Sequence, residues 1–340
     1  MVVRVALNGF GRIGRMVFRA LVESNRSDVE IVAINDLGPV DANAHLLSYD
    51  SAHGPLAADI SVSGDMMQVN GKNVKALKER DPSNLPWREL DIDIVAECTG
   101  IFTDRDKAKV HLDAGAKRVV VSAPSKGADL TVVYGVNHDK LSKNHMIISN
   151  ASCTTNCLAP VAHVLHTLYG IEQGYMTTIH AYTGDQATVD TLHKDLRRAR
   201  AAALSMIPTS TGAALAVGEV LPELKGKLDG SSIRVPTPNV SVVDLKCVLS
   251  KGASEAAINQ AMADASEGKS FGGTLKNVLA LNTLPLVSID FNHCPASSTF
   301  DATQTKVMPG NFVRVLSWYD NEWGFSNRML DTMATMGKLI

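Results

Sequence analysis

Short apolar runs alternate with amphipathic stretches through the first 150 residues of the chain. The runs have the length of buried strands, and they are RVAL (4–7), EIVAI (30–34), DIVAE (93–97), RVVVSA (118–123) and MIIS (146–149). Apolar residues at helical spacing lie between several of them, as at 12–23 and 104–114. Buried strands that alternate with helices are typical of βαβ units. We therefore predict an α/β region with a mostly parallel sheet.

The pattern changes near residue 150, where the β-rich stretches become longer. These stretches are residues 174–183, 231–250, 284–291 and 311–320. One clear helical pattern, residues 254–265, interrupts them, and a C-terminal helix follows the turn-rich DNEWG segment up to about residue 336. This pattern predicts an α+β region with a largely antiparallel sheet.

Composition narrows the class of protein. A length of 340 residues favours two domains, and 45% apolar with 20% charged residues is ordinary globular usage. The net charge of −2 argues against a nucleic acid or an anionic membrane as the main partner. No apolar run approaches the roughly 20 residues of a membrane span, and the N-terminal segment does not resemble a signal peptide. We expect a cytoplasmic protein.

Cysteine usage points to the same compartment. There are five cysteines, an odd and sparse set that fits a reducing environment better than a disulfide framework. Cys153 and Cys157 are four positions apart, but no His or Cys cluster completes a zinc site. We expect no metal.

The glycine-rich segment GFGRIG (9–14) follows the first predicted strand and opens a helix. Its glycines allow a tight turn, close approach of a pyrophosphate and close helix–strand packing, and the helix start offers free amides. Asp36 ends the next strand, 22 residues after Gly14, where a carboxylate accepts hydrogen bonds from ribose hydroxyls. The alternative for Asn35-Asp36 is ordinary turn chemistry. The segment predicts a Rossmann-type dinucleotide site.

Cys153 is the candidate nucleophile. Ser152 is a natural N-cap, which places Cys153 in the first turn of a helix, where the helix dipole is expected to lower the thiol pKa. Pro160 lies inside this helix and is expected to cost a hydrogen bond or cause a kink. Cys157 lies one turn further on the apolar stripe and is interpreted as a buried structural thiol.

A nucleophilic thiol needs a base, and ten histidines are available. His180, in a strand followed by TGDQ, is a reasonable partner, but spacing alone does not select it. His163 and His166 lie along the helix after Cys153 and are better explained by packing or surface positions.

Three segments could bind anions. Arg197, Arg198 and Arg200 lie in a loop-like run, although such a run is also typical of a solvated face or a weak nucleic-acid patch. PTSTGAA (208–214) is a hydroxyl-rich turn that enters a helix, and Arg234 offers a forked guanidinium. Together they favour a phosphorylated substrate.

The chain closely resembles the phosphorylating glyceraldehyde-3-phosphate dehydrogenases over essentially its whole length. The motifs that carry the resemblance are NGFGRIGR (8–15), SNASCTTNC (149–157), HAYTGDQ (180–186), RRARAAA (197–203), PTSTGAA (208–214), RVPTPNVSVVDL (234–245) and WYDNEWGFSNR (318–328). Their order and spacing make the match specific.

The resemblance implies residue roles. Cys153 corresponds to the nucleophile, and His180 to its base and to the electrophilic partner at the substrate oxygen. The subsite for the substrate's phosphate corresponds to Thr183, Asp185 and Arg234. The subsite for attacking inorganic phosphate corresponds to Ser152, Thr154, Arg198, Thr211 and Gly212. Cofactor contacts correspond to Asn8, Gly9, Phe10, Gly11, Arg12, Ile13, Asp36, Arg80, Ser122 and Asn321.

The resemblance also implies the reaction and the assembly. Glyceraldehyde 3-phosphate would be oxidised with NAD to 1,3-bisphosphoglycerate, through a cysteine hemithioacetal and a thioester, in glycolysis or gluconeogenesis. Residues 1–150, joined by the C-terminal helix 321–340, would form the NAD-binding domain, and residues 151–320 the catalytic domain. A homotetramer is implied, with the stretch 182–206 reaching a neighbouring subunit.

Some residues depart from the family pattern. Thr191-Leu192 replaces the Leu-Pro of strictly NAD-using members, so some NADP use is compatible with the sequence. Trp323 and the segment NEWGFSNRMLDT resemble erythrose-4-phosphate dehydrogenases, whereas Thr211-Gly212 argues against that alternative. An RNA-binding dinucleotide-fold protein is the alternative of another class. Cys294 has no explanation in the sequence.

Overall fold

The computed structural model describes residues 2–340. The chain divides into two compact units. Unit 1 contains the residues up to Val132 together with His138–Ala151 and Ser326–Ile340, and unit 2 contains Val133–Asn137 and Ser152–Phe325. The NAD-binding and catalytic roles that the sequence predicts for the two parts of the chain stay predictions.

Unit 1 is built on one nine-stranded sheet. Its strands are Val3–Asn8 (β1), Val29–Asn35 (β2), Ile60–Ser63 (β3), Met66–Val69 (β4), Lys72–Leu77 (β5), Ile94–Glu97 (β6), Arg118–Val121 (β7), Leu130–Thr131 (β8) and Ile147–Ser149 (β9). Their order across the sheet is β3-β4-β5-β2-β1-β6-β7-β9-β8. All pairs from β5 onward are parallel, which confirms the predicted mostly parallel sheet.

The antiparallel edge of this sheet was not predicted. Strands β3, β4 and β5 form a meander at residues 60–77. Their side chains are largely exposed or half-buried, and β3 has no buried residue at all. Because these strands lack a continuous apolar run, the hydrophobic pattern carries little signal for them.

The helices of unit 1 are Arg12–Glu23 (α1), Val40–Ser48 (α2), Arg105–Ala108 (α3) and Val110–Asp113 (α4). Helix α1 matches the prediction, and its apolar face is buried. The helix predicted over 104–114 is instead two short pieces. The Leu112 N–H binds the Lys109 carbonyl, three residues back, at 2.9 Å, so the chain tightens at this point.

Unit 2 contains an eight-stranded sheet. Its strands are Ile171–Ala181 (β10), Ile207–Ser210 (β11), Leu228–Val235 (β12), Ser241–Leu249 (β13), Leu279–Asn282 (β14), Ser298–Asp301 (β15), Lys306–Met308 (β16) and Phe312–Tyr319 (β17). The order is β11-β12-β10-β13-β17-β15-β14, and β16 pairs with β17. Only β10–β12 and β14–β15 are parallel, which confirms the predicted largely antiparallel sheet.

One predicted β-rich stretch of unit 2 is wrong. Residues 284–291 contain a 3₁₀ turn at Ser288–Phe291, and the strand lies earlier, at β14. The Asn282 side chain accepts a bond from the Leu284 N–H at 3.1 Å, and Pro285 has no N–H to donate. The β ladder therefore ends at Asn282.

The remaining helices are Cys153–Tyr169 (α5), Ala213–Val220 (α6), Glu255–Ser266 (α7) and Trp323–Gly337 (α8). Helix α5 continues through Pro160, which only lacks the N–H that would complete the ladder. His163 and His166 were predicted to be packing or surface residues, and this is confirmed, since both are half-buried and contact their neighbours. The His163 ring lies 4.9 Å from the Phe271 ring, and the His166 Nδ1 accepts the Ile171 N–H at 2.9 Å. Within residues 2–340, no helix is long and apolar enough to cross a membrane.

Candidate active site

Cys153 is the first residue of α5, as predicted. The Ser152 hydroxyl accepts the Thr155 N–H at 3.1 Å and caps the helix. Just before it, Ala151 has a φ of +57°, a left-handed conformation that is uncommon for a residue with a side chain. The Ser149 hydroxyl accepts the Ala151 N–H at 3.0 Å and helps to hold this conformation. The backbone turns sharply here, and Cys153 remains partly exposed.

His180 faces the thiol from β10, in the interior of the unit 2 sheet. Its Nε2 lies 3.5 Å from the Cys153 Sγ, and the ring is almost fully buried. Because β12 pairs in parallel with β10, Arg234 lies directly beside His180 in the register. The sheet therefore fixes the base and the guanidinium as neighbours, although 54 residues separate them in sequence.

The surroundings of His180 determine which ring nitrogen carries the proton. Its Nδ1 lies 2.7 Å from the Ala181 carbonyl oxygen, an acceptor, and 3.0 Å from Arg234 Nη1. The two Nη1 protons have other acceptors at 3.0 Å, the Ala181 carbonyl and the Thr183 hydroxyl. Nδ1 is thus the protonated nitrogen, and Nε2 is left to accept a proton from Cys153.

The ionisation of the pair corrects one prediction. Burial raises the pKa of the Cys153 thiol above its ordinary value, and the Arg234 charge and the bonds from the Thr154 hydroxyl and N–H oppose the shift only in part. The predicted lowering by the helix start is therefore wrong as a net direction. Burial, reinforced by Arg234, lowers the pKa of His180 to about 3. The resting pair is a neutral thiol beside a neutral imidazole.

A chain of polar contacts leads away from Arg234. Arg234 donates to the Thr183 hydroxyl at 3.0 Å, and that hydroxyl donates to Asp185. Asp185 in turn accepts from Arg198 Nη1 at 2.6 Å. Burial raises the Asp185 pKa, but the bond from Thr183 and the two guanidinium charges outweigh burial, so the pKa is lowered overall. Asp185 is therefore an ionised bridge between two arginines.

Sequence reasoning missed two members of this chain. Arg198 Nε donates to the Thr209 hydroxyl at 3.0 Å, and that hydroxyl donates to Asp195 at 3.1 Å. Thr209 is buried on β11, and Asp195 lies only three residues from Arg198. Alternation along β11 could have indicated an inward Thr209, but only the folded loop shows that it meets Arg198.

The residues predicted for inorganic phosphate lie around two helix starts. The Thr155 hydroxyl, next to the α5 start, donates to the Ala213 carbonyl of α6 at 3.3 Å. Thr211 accepts the Ala213 N–H at 3.2 Å, and Gly212 is the exposed N-cap residue of α6. Ser152 is half-exposed at the start of α5. The first-turn amides of both helices are suited to an anion.

Tyr319 is a further site residue that sequence reasoning missed. Its ring meets the His180 ring edge-on at 5.9 Å and 81°. Its hydroxyl lies 2.8 Å from the Thr154 hydroxyl and 2.9 Å from that of Thr178. Burial raises the Tyr319 pKa well above its ordinary value, so the phenol stays protonated. The Thr154 hydroxyl thus contacts Tyr319 in the interior and also hydrogen-bonds to the Cys153 thiol at the α5 start.

The glycine-rich turn lies at the carboxyl end of β1. Gly9 has a φ of +92°, and a Cβ there would lie 2.7 Å from the Thr99 nitrogen. A Cβ at Gly14 would lie 2.2 Å from the Gly9 carbonyl oxygen, so α1 and β1 pack closely. At Gly11, the N-cap of α1, a Cβ would meet no atom of residues 2–340 within 4 Å. The turn therefore presents backbone amides to open space, which fits a pyrophosphate.

The other predicted cofactor residues differ in their contacts and in their exposure. Asp36 accepts the Phe10 N–H and the Gly38 N–H, both at 3.0 Å. Arg12 is ion-paired with Asp50. Ile13 and Ser122 are half-buried, as are Arg12 and Asp36, whereas Arg80 is exposed. Asn321 belongs to unit 2, where its Oδ1 accepts the Ser241 hydroxyl at 2.8 Å.

Asn8 was predicted as a cofactor contact, but its side chain is buried and engaged at both ends. Its Nδ2 donates to Glu97 at 2.6 Å, and its Oδ1 accepts from Asn35 at 2.8 Å. Any contact with a cofactor would have to come from the Asn8 backbone. The side chain instead supports the turn.

Comparison with known proteins adds independent evidence. A family model described as the C-terminal domain of glyceraldehyde 3-phosphate dehydrogenase matches residues 152–321, and one described as the NAD binding domain of the same enzyme matches residues 3–105. Relatives named glyceraldehyde-3-phosphate dehydrogenase include those of Xanthobacter flavus, 65% identical, and Cereibacter sphaeroides, 61% identical, each over 100% of both chains. The relative of Geobacillus stearothermophilus is 56% identical over 98% of both chains.

These matches confirm the predicted class of enzyme and its cofactor. The chain is an oxidoreductase that uses NAD, and the erythrose-4-phosphate and RNA-binding alternatives are not favoured. Both family models and the full-length relatives agree with the resemblance noted in the sequence. The chain belongs to the glyceraldehyde-3-phosphate dehydrogenase family.

Proposed function

We propose that the chain oxidises glyceraldehyde 3-phosphate with NAD and adds inorganic phosphate, which yields 1,3-bisphosphoglycerate. The observation that carries the proposal is the contact of Cys153 with His180 beside the chain of bonds from Arg234 to Arg198. A nucleophile, its base and two cationic groups lie within one continuous network. These are the groups required to oxidise an aldehyde that carries one phosphate group and then to let a second phosphate attack the oxidised carbon.

The first step is attack by sulfur. The neutral His180 Nε2 takes the thiol proton as Sγ bonds to the aldehyde carbon, and it then gives this proton to the former carbonyl oxygen. The products are a hemithioacetal with a hydroxyl group on Cys153 and a neutral His180. The positive charge of Arg234 contributes to the lowered pKa of His180. A phosphate that neutralises this guanidinium therefore raises the proton affinity of the base as the substrate binds. The Cys153 N–H at the helix start would stabilise the oxyanion that exists before this proton is returned.

NAD, when bound, supplies the acceptor for the hydride that leaves the hemithioacetal carbon. His180 accepts the hydroxyl proton in this step, and a thioester remains on Cys153. The α5 and α6 starts, with Ser152, Thr211 and Gly212, hold the phosphate that attacks the thioester carbon. Arg198 adds the positive charge that favours a phosphate oxyanion over neutral water.

Arg234 is suited to the substrate's own phosphate because its hydrogen-bonding capacity is incompletely used. Its Nε is buried and meets no hydrogen-bond partner among residues 2–340. A buried donor without a partner costs free energy, and a phosphate oxygen would satisfy it. Thr183 and Asp185 complete this subsite in the proposal.

We also propose that residues 1–150, with the helix 321–340, bind NAD and that residues 151–320 carry catalysis. The turn residues Gly9, Phe10, Gly11, Arg12 and Ile13 would hold the pyrophosphate, and Asp36 the adenosine ribose. The partly exposed carboxylate of Asp36 and the open space at Gly11 support this assignment. Further contacts in the proposal are Arg80, Ser122 and Asn321.

A homotetramer is part of the proposal, with the cytoplasm as its compartment. The stretch 182–206 exposes large apolar side chains, an unusual feature unless a partner covers them. They are Val189, Leu192, Leu196, Leu204 and Met206, with exposed fractions from 71% to 99%. Light scattering on the purified protein is expected to give four times the chain mass, and a monomer at micromolar concentration would contradict this part.

The proposed reaction is tested by following nicotinamide reduction with glyceraldehyde 3-phosphate, with and without inorganic phosphate. Sustained turnover that requires phosphate is the expected result. Turnover indifferent to phosphate would mean that the second anion subsite does not act as proposed. Faster turnover of erythrose 4-phosphate in the same assay would overturn the assigned substrate.

A further inference from the structure

A buried carboxylate lies beneath the glycine-rich turn of unit 1. Glu97 is the last residue of β6, and its side chain is 1% exposed. It accepts from Asn8 Nδ2 at 2.6 Å, from His111 Nε2 at 3.0 Å and from the Thr99 N–H at 2.8 Å. The Thr99 hydroxyl is a fourth donor. Both carboxylate oxygens are therefore engaged, although Glu97 was not singled out in the sequence.

One arrangement of protons satisfies the network. The Trp87 indole nitrogen can only donate, and it lies 3.1 Å from His111 Nδ1. Nδ1 must then be unprotonated, so Nε2 carries the proton and donates to Glu97. Asn8 Nδ2 lies 3.4 Å from His111 Nε2, and these two donors converge on the same carboxylate oxygen. The Asn8, His111 and Thr99 N–H groups can only donate, so both Glu97 carboxylate oxygens act as acceptors.

The network joins the two turns that follow β1 and β6, at the carboxyl ends of these strands. Asn8 immediately precedes Gly9, and Thr99 begins the turn after β6. The backbone of these turns is in close contact, since a Cβ at Gly9 would lie 2.7 Å from the Thr99 nitrogen. Backbone pairing between β1 and β6 ends at Asn8 and Glu97. Beyond that point the hydrogen bonds of the Glu97 side chain hold the two turns at a fixed distance from each other.

The same hydrogen-bond network continues to Asn35, the last residue of β2. Asn35 donates to Asn8 at 2.8 Å and to the Glu79 carbonyl at 2.9 Å, and it accepts the Glu79 N–H at 2.8 Å. Asn35 precedes Asp36, and Glu79 precedes Arg80. A continuous hydrogen-bonded path thus runs from Trp87 to the neighbours of two proposed cofactor contacts.

We propose that Glu97 is a positioning residue for NAD: its buried charge, oriented by His111 and Trp87, sets the distance between the turn at Gly9 and the turn at Thr99. The inference rests on the proposed NAD-binding role of unit 1. Glu97 itself need not touch the cofactor. Its loss leaves several buried donors without a charged acceptor, and the two turns then separate or rotate.

The first test is Glu97→Gln. The carboxamide keeps the size but replaces one acceptor oxygen by a donor, which faces either the Asn8 and His111 donors or the Thr99 donors. We expect the Kd for NAD, measured by calorimetry without substrate, to rise about tenfold or more. The rate of Cys153 alkylation by iodoacetamide, which reports on unit 2, is expected to stay within about twofold. Glu30→Gln is the matched control, because Glu30 is a half-exposed acid on β2, which β1 separates from β6 in the same sheet.

A second pair of variants separates positioning from packing. His111 is fully buried, so its effect on NAD must pass through its neighbours. Glutamine at this position offers both an acceptor for Trp87 and a donor for Glu97, whereas leucine offers neither. We expect His111→Gln to keep the wild-type Kd within about threefold and His111→Leu to raise it about tenfold. If either variant fails to fold, Trp87→Phe provides the comparison, with a smaller increase in Kd expected. This change removes the indole N–H together with part of a fully buried ring system.

The outcomes distinguish this inference from the proposed function. A folded Glu97→Gln protein that binds NAD like wild type overturns the positioning role and leaves the proposed function intact. Equal weakening by His111→Gln and His111→Leu also overturns it, because that result indicates packing alone. A wild-type protein that does not bind NAD in calorimetry would overturn the proposed function as well.

Discussion

The two units differ in how fully a buried charged side chain is hydrogen-bonded. In unit 1 the carboxylate of Glu97 meets four donors, and none of its acceptor capacity points toward a ligand. In unit 2 the guanidinium of Arg234 keeps a buried Nε without a partner among residues 2–340. A satisfied charge fixes the shape of a binding edge, whereas an incompletely satisfied one is available to a substrate. Variants that affect one unit and spare the other test this contrast.

The largest effect is expected for the nucleophile. Cys153→Ala removes the sulfur on which both covalent intermediates depend, and kcat is expected to fall by about 10⁴-fold or more. The Kd for NAD is expected to stay close to wild type, since the glycine-rich turn is unchanged. Steady-state rates and calorimetry check the two parts. Weakened NAD binding of similar size would break the division of labour between the units.

Arg234→Lys comes next. Lysine keeps the positive charge but loses the fork and the Nε donor, so recognition of a phosphate group suffers. We expect kcat/KM for glyceraldehyde 3-phosphate to fall by about 10²-fold, with a much smaller change for unphosphorylated glyceraldehyde. The ratio of the two values of kcat/KM is the measurement. An equal loss for both aldehydes would show that Arg234 acts on the base and not on the phosphate.

Gly9→Ala is expected to affect the other unit. The new Cβ would lie 2.7 Å from the Thr99 backbone at a φ of +92°, so both the contact and the conformation are unfavourable. We expect a loss of about 1–3 kcal/mol in unfolding free energy and weaker NAD binding. Gly11→Ala is the control, since a Cβ there meets open space and stability is expected to change by less than about 0.5 kcal/mol. Denaturant titration distinguishes the two variants.

The smallest effect concerns Asp50, the partner of Arg12. Burial raises its pKa, but the bonds from Arg12 and from the Ala52 and His53 amides outweigh burial and lower it from 3.8 to about 2. A carboxyl group with a lowered pKa stabilises the fold above its ordinary pKa, and this contribution is lost as the pH falls from about 4 through about 2. We expect Asp50→Asn to be less stable than wild type at neutral pH, and the difference to shrink below pH 4. A constant difference across the titration would contradict the assignment.

Elements with a strong hydrophobic pattern were predictable from the sequence. The limits of α1 and the positions of β1, β2, β6, β7 and β9 follow from apolar spacing, and Ser152 identifies the start of α5. The edge strands β3 to β5 were missed because most of their residues are exposed or half-buried and form no continuous apolar run. The stretch 284–291 was misassigned because Asn282 and Pro285 end the ladder early.

The site was only partly predictable for a different reason. Cys153 could be identified locally, because a helix start is a local feature. His180 could be chosen among ten histidines only through the family resemblance. Its contact with Arg234 depends on the register of β10 and β12, and Tyr319 reaches it from another strand. Contacts of this kind arise from long-range pairing, which periodicity does not encode.

The thioester on Cys153 is the central claim, and mass spectrometry after one turnover tests it most directly. The protein would be mixed with NAD and glyceraldehyde 3-phosphate in the absence of inorganic phosphate and then digested. We expect about one nicotinamide reduced per active chain and an acyl group on the peptide that contains Cys153, discharged when phosphate is added. Continued turnover without phosphate, or an acyl group on another residue, would contradict the mechanism.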